Sequence, residues 1–445
     1  MSDTGPPSNG LVDASQVASQ AASVRGQDPH YIEALASLAA IGSTLLTNEL
    51  PTTDPLSTLI QKHLPPHMRP LRDLSGDWHT RSFTSDNQPA HIETHASTDI
   101  TPHTVRQAAA SSAWRKIARL ARTHIQKYAH HDQSDQLDTL QDETSVQDVL
   151  EWWSVRLYSL ARLKLYSILS TELNGVWQVI ETTAVERGKM LVDTDMVPFT
   201  MRVLKATEAK YRGDVRSSVE AYVELIRLCK RRMRELESEQ PKIWKERAIQ
   251  VGLMLAFTLA ETKDYAGAIQ LVVPLVESAL ESKSDPQDAM QSIHLVVVAS
   301  RIWIQAGHLS SAMSLLDRAQ LLLASPPPAY IQHQLAHSRA LIHAISGDFS
   351  SASFVSASTL TQQLNSAISC FYSAHLDDAI SRLQSVLAAE PASVASADAV
   401  IFNLATLYEL AKRGDAEVLE SKTQLLATVA SWAGEPGVSS SAFKL

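Results

Sequence analysis

The sequence predicts an all-α fold: a right-handed α-solenoid of irregular helical hairpins, preceded by a largely disordered N-terminal region. Three observations carry this. Glycine is scarce, 15 among 445 residues, and aromatic residues make up 6%, while Ala, Leu and Ser abound. Sheets need more β-branched and aromatic residues and more turn glycines, so this balance favours helices. Beyond residue 104, apolar residues recur at helical spacing. From residue 195 onward, one turn-and-helix pattern returns five times.

Residues 1–103 hold 10 of the 19 prolines and mix Ser, Thr, His, Asp and Pro without a sustained period. They read as a mostly disordered tail with one short helix at "PHYIEALASLAAIGSTLL" (29–46). Residues 104–194 are leading helices. Thr104 is the N-cap of a helix running to His131, with Trp114, Ile117, Leu120 and Ala121 on one face. That helix carries six basic residues and no acid, and the next twenty residues (132–151) carry seven acids and no base. A basic amphipathic helix beside an acidic block pairs with it or with an acidic partner; the competing reading is a helix lying on an anionic membrane through 104–131. "SVQDVLEWWSVRLYSLARLKLYSILSTEL" (145–173) reads as one long helix capped by Ser145, with Asp148 at the capping-box position. Its apolar residues, among them Leu150, Trp153, Leu157 and Leu160, cover over half its circumference, so it is sandwiched between neighbours. The pair Trp152–Trp153 reads as packing.

Residues 195–432 form the repeat array. The second helix of each pair starts alike, in "YRGDVRSSVEAYVEL" (211–225), "TKDYAGAIQLVVPLV" (262–276), "QAGHLSSAMSLLDRA" (305–319), "ISGDFSSASFVSAST" (345–359) and "YSAHLDDAISRLQSVLAAEP" (372–391). Each has a tight turn and an apolar residue (Val215, Tyr265, Leu309, Phe349, Leu376), then three positions later a small one (Ser218, Ala268, Ala312, Ala352, Ala379). The turn reverses the chain, the apolar residue plugs the end of the hairpin, and the small residue lets the two helices approach. This resembles the tetratricopeptide repeat, most closely in the last example, which adds Pro391. The spacing is irregular and leaves little room for two full helices near 355–370. A last pair (397–411, 416–432) and a tail (433–445) close the chain.

Nothing in the sequence points to chemistry. The net charge of −9 disfavours general nucleic-acid binding. Cys229 and Cys370 stand alone, which disfavours a disulfide scaffold or a zinc site. There is no nucleophile elbow, phosphate loop or dinucleotide fingerprint. His63, His67, His79, His91, His95 and His103 are irregularly spaced and lack companion carboxylates or thiols, so no metal or cofactor is expected. "CKRRMRELESEQ" (229–240) reads as a solvated face with internal pairs. The N-terminus has no secretory pattern, and the longest apolar run, 251–260, is about half of the roughly 20 residues that cross a bilayer. The expectation is a soluble, cytoplasmic non-enzyme without catalytic residues.

Several stretches together carry a family resemblance. "DMVPFTMRVLKATEAKYRGDVRSSVEAYVELI" (195–226) looks like the opening of the repeat region in the subunit 12 family of TRAPP, the trafficking protein particle complex, where a Met-Val-Pro-Phe-Ser-Met-Arg lead is distinctive. "WWSVRLYSLARLKLY" (152–166) resembles its preceding helix, "KDYAGAIQLV" (263–272) one of its turns, and "IFNLATLYEL" (401–410), "KTQLLATVASWAGEP" (422–436) and the terminal "FKL" its C-terminus. The resemblance covers roughly 145–445. It implies a non-catalytic scaffold subunit of a TRAPP III-type assembly, which tethers vesicles and exchanges nucleotide on a Rab GTPase in ER–Golgi traffic and autophagy. The implied partners are other TRAPP subunits, both the core and the large TRAPP III-specific ones, with the Rab contacted only through the complex. The implied location is the cytoplasmic side of early secretory membranes. The alternative is a tetratricopeptide co-chaperone or peptide-binding adaptor outside that complex. It needs cations along successive first helices, where the sequence offers Arg202, Lys205 and Arg301.

Overall fold

A computed structural model describes most of residues 48–445. Residues 1–47, 71–77, 84–88, 96–104, 131–145, 236–240, 282–285, 323–328 and 354–358, with positions 53, 107, 110–112, 187–188, 413 and 436, lie outside the described set. The expected helix at 29–46 and the caps Thr104 and Ser145 fall there. The described chain is helical, with 17 α-helices. Helix α1 (Pro55–His63), an antiparallel ribbon of β1 (Trp78–Phe83) and β2 (Pro89–His95), and helices α2 (Trp114–His130), α3 (Val146–Arg162) and α4 (Tyr166–Thr182) come first. The chain divides into two compact units.

The first unit comprises most of α2 to α4 and the stretch that follows, to Arg202. Here the sequence expectation needs correction twice. The helix expected from Thr104 to His131 is interrupted before Trp114, where α2 begins: residues 105–106 and 108–109 are helical, and the Ala113 N–H bonds the Ala108 carbonyl at 2.8 Å. The long helix expected over 145–173 is two helices, α3 and α4, broken where Lys164 takes φ 58°. A left-handed non-glycine residue costs roughly 1–2 kcal/mol; burial of Leu163 before it and Leu169 after it offsets that cost. Leu-Lys-Leu holds neither glycine nor proline, so the sequence shows no break. After α4 come a small ribbon of β3 (Ala184–Glu186) and β4 (Lys189–Met190) and a 3₁₀ turn (Leu191–Asp193).

The second unit holds the repeats. Hairpins form from α5 (Phe199–Tyr211) with α6 (Val215–Glu235), α7 (Pro241–Glu261) with α8 (Tyr265–Glu281), and α9 (Pro286–Gln305) with α10 (Leu309–Leu322). Two more pair α11 (Ala329–Ile345) with α12 (Phe349–Ser353), and α13 (Leu360–Tyr372) with α14 (Leu376–Ala389). The five turns are one structure built five times. Gly213, Lys263, Gly307, Gly347 and Ala374 are left-handed, with φ from 66° to 88°. At each, the next residue's N–H bonds the carbonyl five positions back, as in Asp214 to Ala209 and His375 to Cys370, at 2.9–3.0 Å. This is the Schellman closure of a helix. In three turns that next residue is an aspartate whose carboxylate accepts from a backbone N–H of the following helix: Asp214 from Ser217, Asp264 from Gly267, Asp348 from Ser351. One residue thus ends one helix and caps the next.

The five apolar residues named above are the first residues of α6, α8, α10, α12 and α14. The five small residues are buried, at 0% exposure except Ala352 at 5%. Ala379→Asp would set a charge at a 0% exposed helix–helix contact. We expect a loss of about 3 kcal/mol or more, read by urea unfolding; an unchanged midpoint would mean that Ala379 does not sit between helices. In the crowded region near 355–370, α13 restarts the chain with a capping box between Thr359 and Gln362.

The array continues through α15 (Pro391–Val394), α16 (Asp398–Ala411), α17 (Asp415–Trp432) and a 3₁₀ turn (Ser440–Phe443). The 433–445 tail is folded: Val438, Ala442 and Phe443 are buried in the last core. So are Leu56, Leu59, Ile60 and Leu64 of α1, from within the stretch read as unstructured tail. Amphipathy over one nine-residue helix is too short a signal to stand out among prolines.

Candidate interaction surfaces

The lead-in before the repeats is an anchoring device. Val197 and Met201 are buried. The Pro198 carbonyl accepts from the Met201 and Arg202 N–H groups, starting α5. The Arg202 guanidinium turns back to the carbonyls of Val192 and Thr194, at 2.8 and 2.9 Å, tying the 3₁₀ turn to the helix. Arg202 is therefore committed to backbone and is not a surface cation.

Along α2, Ile117 and Ala121 are buried as expected, and Trp114 and Leu120 are half-buried. Over residues 113–126 Thr123 alone is exposed. Arg115 is buried, with an ion pair to Glu435 at 3.2 Å and a hydrogen bond to the Pro51 carbonyl. A helix lying on a membrane needs its basic face open; within 113–126 Arg115 is buried, and Lys116, Arg119 and Arg122 are half-buried. Of the tryptophan pair, Trp153 is buried and Trp152 stacks on His124 at 4.2 Å, so both are packing residues.

Sequence reasoning missed the most buried charges among the described residues. Arg156 on α3 and Glu172 on α4 are 1% and 0% exposed. The guanidinium meets both carboxylate oxygens, Nε to Oε2 at 2.7 Å and Nη2 to Oε1 at 2.5 Å, and its Nη1 donates to the Ala118 carbonyl at 2.9 Å. Burial pushes the Glu172 carboxyl above its usual range, against the pull of Arg156. No spacing rule marks this pair, because its partners lie on two helices that were read as one.

Two aromatic residues at helix starts, Tyr166 and the plug residue Phe349, reach beyond their own turns. Tyr166, first in α4, stacks on Tyr211, last in α5, at 4.4 Å; Phe349, first in α12, stacks on Tyr372, last in α13, at 4.9 Å. Each joins one turn to the next repeat's first helix. Around the second and third turns, Lys263, Tyr265, Ile269, Trp303 and His308 line a hollow of about 490 Å³. Ile345 and Tyr372 are over half exposed on the same edge.

The first helices α9, α11 and α13 lie side by side. His294 meets the Tyr330 hydroxyl at 2.5 Å, Arg301 donates to Gln334 Oε1 at 3.2 Å, and His337 sits 3.4 Å from Asn365. Burial, then the Arg301 charge, pushes His337 down to about 4, so it is neutral. At the C-terminal end, Lys422 is buried and bridges Glu409, at 2.6 Å, to the Lys444 carbonyl, at 2.8 Å; Lys444 also pairs with Glu409. A groove of about 540 Å³ beside it is lined by Asp377, Gln384, Tyr408, Lys412, Ser421 and Gln424 among others.

Within 229–240 and just before it, Arg232 pairs with Glu235, and Arg227 with Glu224, as internal helix pairs. Cys229 and Cys370 are buried thiols that form no disulfide among the described residues. His103 is outside the described residues, and among those described no three His, Cys, Asp or Glu side chains gather as metal ligands. No described helix is long and apolar enough to cross a membrane.

No protein-family model matches the chain. Among curated proteins it is similar to trafficking protein particle complex subunit 12 of Mus musculus, 23% identical over 319 residues, which cover 65% of this chain and 38% of that protein. It is similar to the Homo sapiens protein of the same name, 22% identical over 319 residues, covering 65% of this chain and 41% of the relative. The match thus spans about two fifths of the length of these relatives.

Proposed function

We propose that this chain is a non-catalytic scaffold subunit of a TRAPP-type vesicle-tethering complex. The observation that carries the reading is the similarity to subunit 12 over 319 residues; the helical-hairpin architecture supports it. Solenoids present extended surfaces and ends to partners and owe their stability to neighbour-on-neighbour packing rather than to any bound group. The finer reading is a TRAPP III form acting in ER–Golgi traffic and autophagy, with the core and large subunits as direct partners. In it the Rab GTPase is reached only through the complex, and the protein sits peripherally on early secretory membranes from the cytoplasm. The co-chaperone alternative loses Arg202, which is bound to backbone carbonyls.

The test is affinity purification of the tagged chain from its native cells with identification of what accompanies it. TRAPP core subunits in stoichiometric amount are expected. Recovery of chaperones without any TRAPP subunit would replace this reading with the adaptor one.

A further inference from the structure

One end of the repeat array's beginning is basic in a chain that is acidic overall. The chain carries −9, yet residues 227–247 hold eight Lys and Arg against four Glu, at 235, 237, 239 and 246. Helices α6 and α7 pack along each other and are joined by residues 236–240, so the end of α6 lies beside the start of α7. Lys230, Arg231 and Arg234 on α6, with Lys242 and Lys245 on α7, are exposed. The ion pairs of this stretch use other cations, Arg227 with Glu224 and Arg232 with Glu235. None of the five exposed cations forms an ion pair among the described residues. Lys230 and Arg234 are four apart on one helix, and Lys242 and Lys245 three apart on the next; like charges at these spacings repel. Ile243, between the two lysines, is 44% exposed. Trp244 beside it is buried, with the Arg247 guanidinium 4.6 Å over its ring, which holds this end of α7 in place.

We propose that the α6–α7 end is a membrane-contact surface that binds anionic phospholipid headgroups, with Lys230, Arg231, Arg234, Lys242 and Lys245 as the cations that meet them. Clusters of this size gain attraction from each cation that reaches an anionic leaflet, and salt screens it over about 10 Å at 0.1 M. The anionic surface also relieves the repulsion among the five. Two features favour lipid over an acidic polypeptide or nucleic acid. The hollows described above, around Trp303 and beside Tyr408, lie elsewhere, so these cations line neither. An exposed isoleucine stands among the lysines, placed to enter the boundary between headgroups and acyl chains. The remainder of the chain is more acidic still, and its repulsion from the same leaflet turns this edge toward the membrane. The surface is distinct from the 104–131 segment. It gives the peripheral membrane position proposed above a contact of its own, and rests on that reading only for which membrane is met.

The test is flotation of the purified full chain with vesicles of phosphatidylcholine containing phosphatidylserine, against vesicles of phosphatidylcholine alone. Salt-sensitive binding to the anionic vesicles only is expected. Changing Lys230, Arg231, Arg234, Lys242 and Lys245 together to Gln should weaken it about tenfold or more, and Lys242→Gln with Lys245→Gln alone should give an intermediate loss. Neither variant should lower the melting temperature, because each removes like charges from exposed positions. A control with Lys62, Arg216 and Lys263 changed to Gln removes exposed cations elsewhere and should float as the parent does. Absence of flotation, equal flotation with phosphatidylcholine alone, or an equal loss in the control would overturn the proposal. So would equally tight binding of a decaglutamate peptide or duplex DNA through the same five residues, which would reassign the surface. Because the chain is assayed alone, failure here leaves co-purification of TRAPP subunits untouched, and the two readings fail separately.

Discussion

Arg156→Met is expected to cost about 3–5 kcal/mol of stability, the largest single loss in the first unit. Methionine fills much of the arginine volume, so the cost is electrostatic. The Glu172 carboxylate, at 0% exposure, loses both of its bidentate hydrogen bonds and keeps only the more distant Arg122 charge. The Ala118 carbonyl also loses its donor. Converting the partner as well, in Arg156→Met with Glu172→Leu, should restore most of the loss, since apolar replacements of a buried pair are often neutral or stabilising. The pH dependence supplies the sign. Glu172 already sits above its usual range through burial, and without Arg156 it rises further. The folded variant then takes up a proton at a pH where the unfolded chain does not, so acidification favours folding. The deficit of the single variant against the parent should therefore shrink as pH falls from 7 toward 5. Urea unfolding at several pH values measures it. A deficit that stays constant with pH, or a double variant no better than the single, would show that Glu172 is not held as a buried carboxylate.

How much of this was legible in the sequence differs by element and for physical reasons. The repeat turns were readable because their chemistry is local: a left-handed residue, an aspartate that caps, and a small residue one turn later. Those features need only a few neighbouring positions, and all five small residues lie between helices in the structure. The break at Lys164 was not readable, because a leucine–lysine–leucine step looks like helix and the left-handed turn is maintained by the packing of Leu163 and Leu169. The Arg156–Glu172 pair was hidden for the same reason, since its spacing has meaning only once the chain folds back at that break. Arg301 was visible as a residue, but not as one whose Nε is buried without an acceptor among the described residues. Its hydrogen-bond partner Gln334 comes from α11, 33 positions along the chain. The lead-in Met-Val-Pro-Phe-Thr-Met-Arg was recognisable as wording before its purpose was. Its arginine binds two carbonyls upstream of the helix, which sequence spacing does not reveal.

Helix α1 gives the second large expected effect. A solenoid ends on a repeat whose outer face has no further neighbour, and that face needs a cap. Here the cap comes from near the other end of the chain. Leu56, Leu59, Ile60 and Leu64 enter the same core as Leu425, Val429, Val438 and Phe443, against α17 and the terminal 3₁₀ turn. The helix is finished at both ends: the Asp54 carboxylate accepts from the Ser57 N–H at 2.7 Å, and Arg69 donates to the carbonyls of Leu64 and Gln61 at 2.8 and 2.9 Å. So complete a set of caps on nine residues indicates a fixed part of the fold. Burying each leucine or isoleucine contributes about 1.5–3 kcal/mol at most. Leu56→Asp, which sets a carboxylate at a 0% exposed position, should cost about 3–5 kcal/mol. Removing residues 1–70 should act in the same direction while leaving no misplaced charge. Because each repeat depends mainly on its neighbours, the damage should be local. Hydrogen exchange in α17 and residues 433–445 should accelerate strongly, whereas α5 to α8 should keep their protection. Unchanged exchange at the C-terminal end after both changes would mean that α1 lies on a core already complete without it. Equal acceleration throughout would mean that the repeats unfold as one cooperative body and that α1 stabilises all of it.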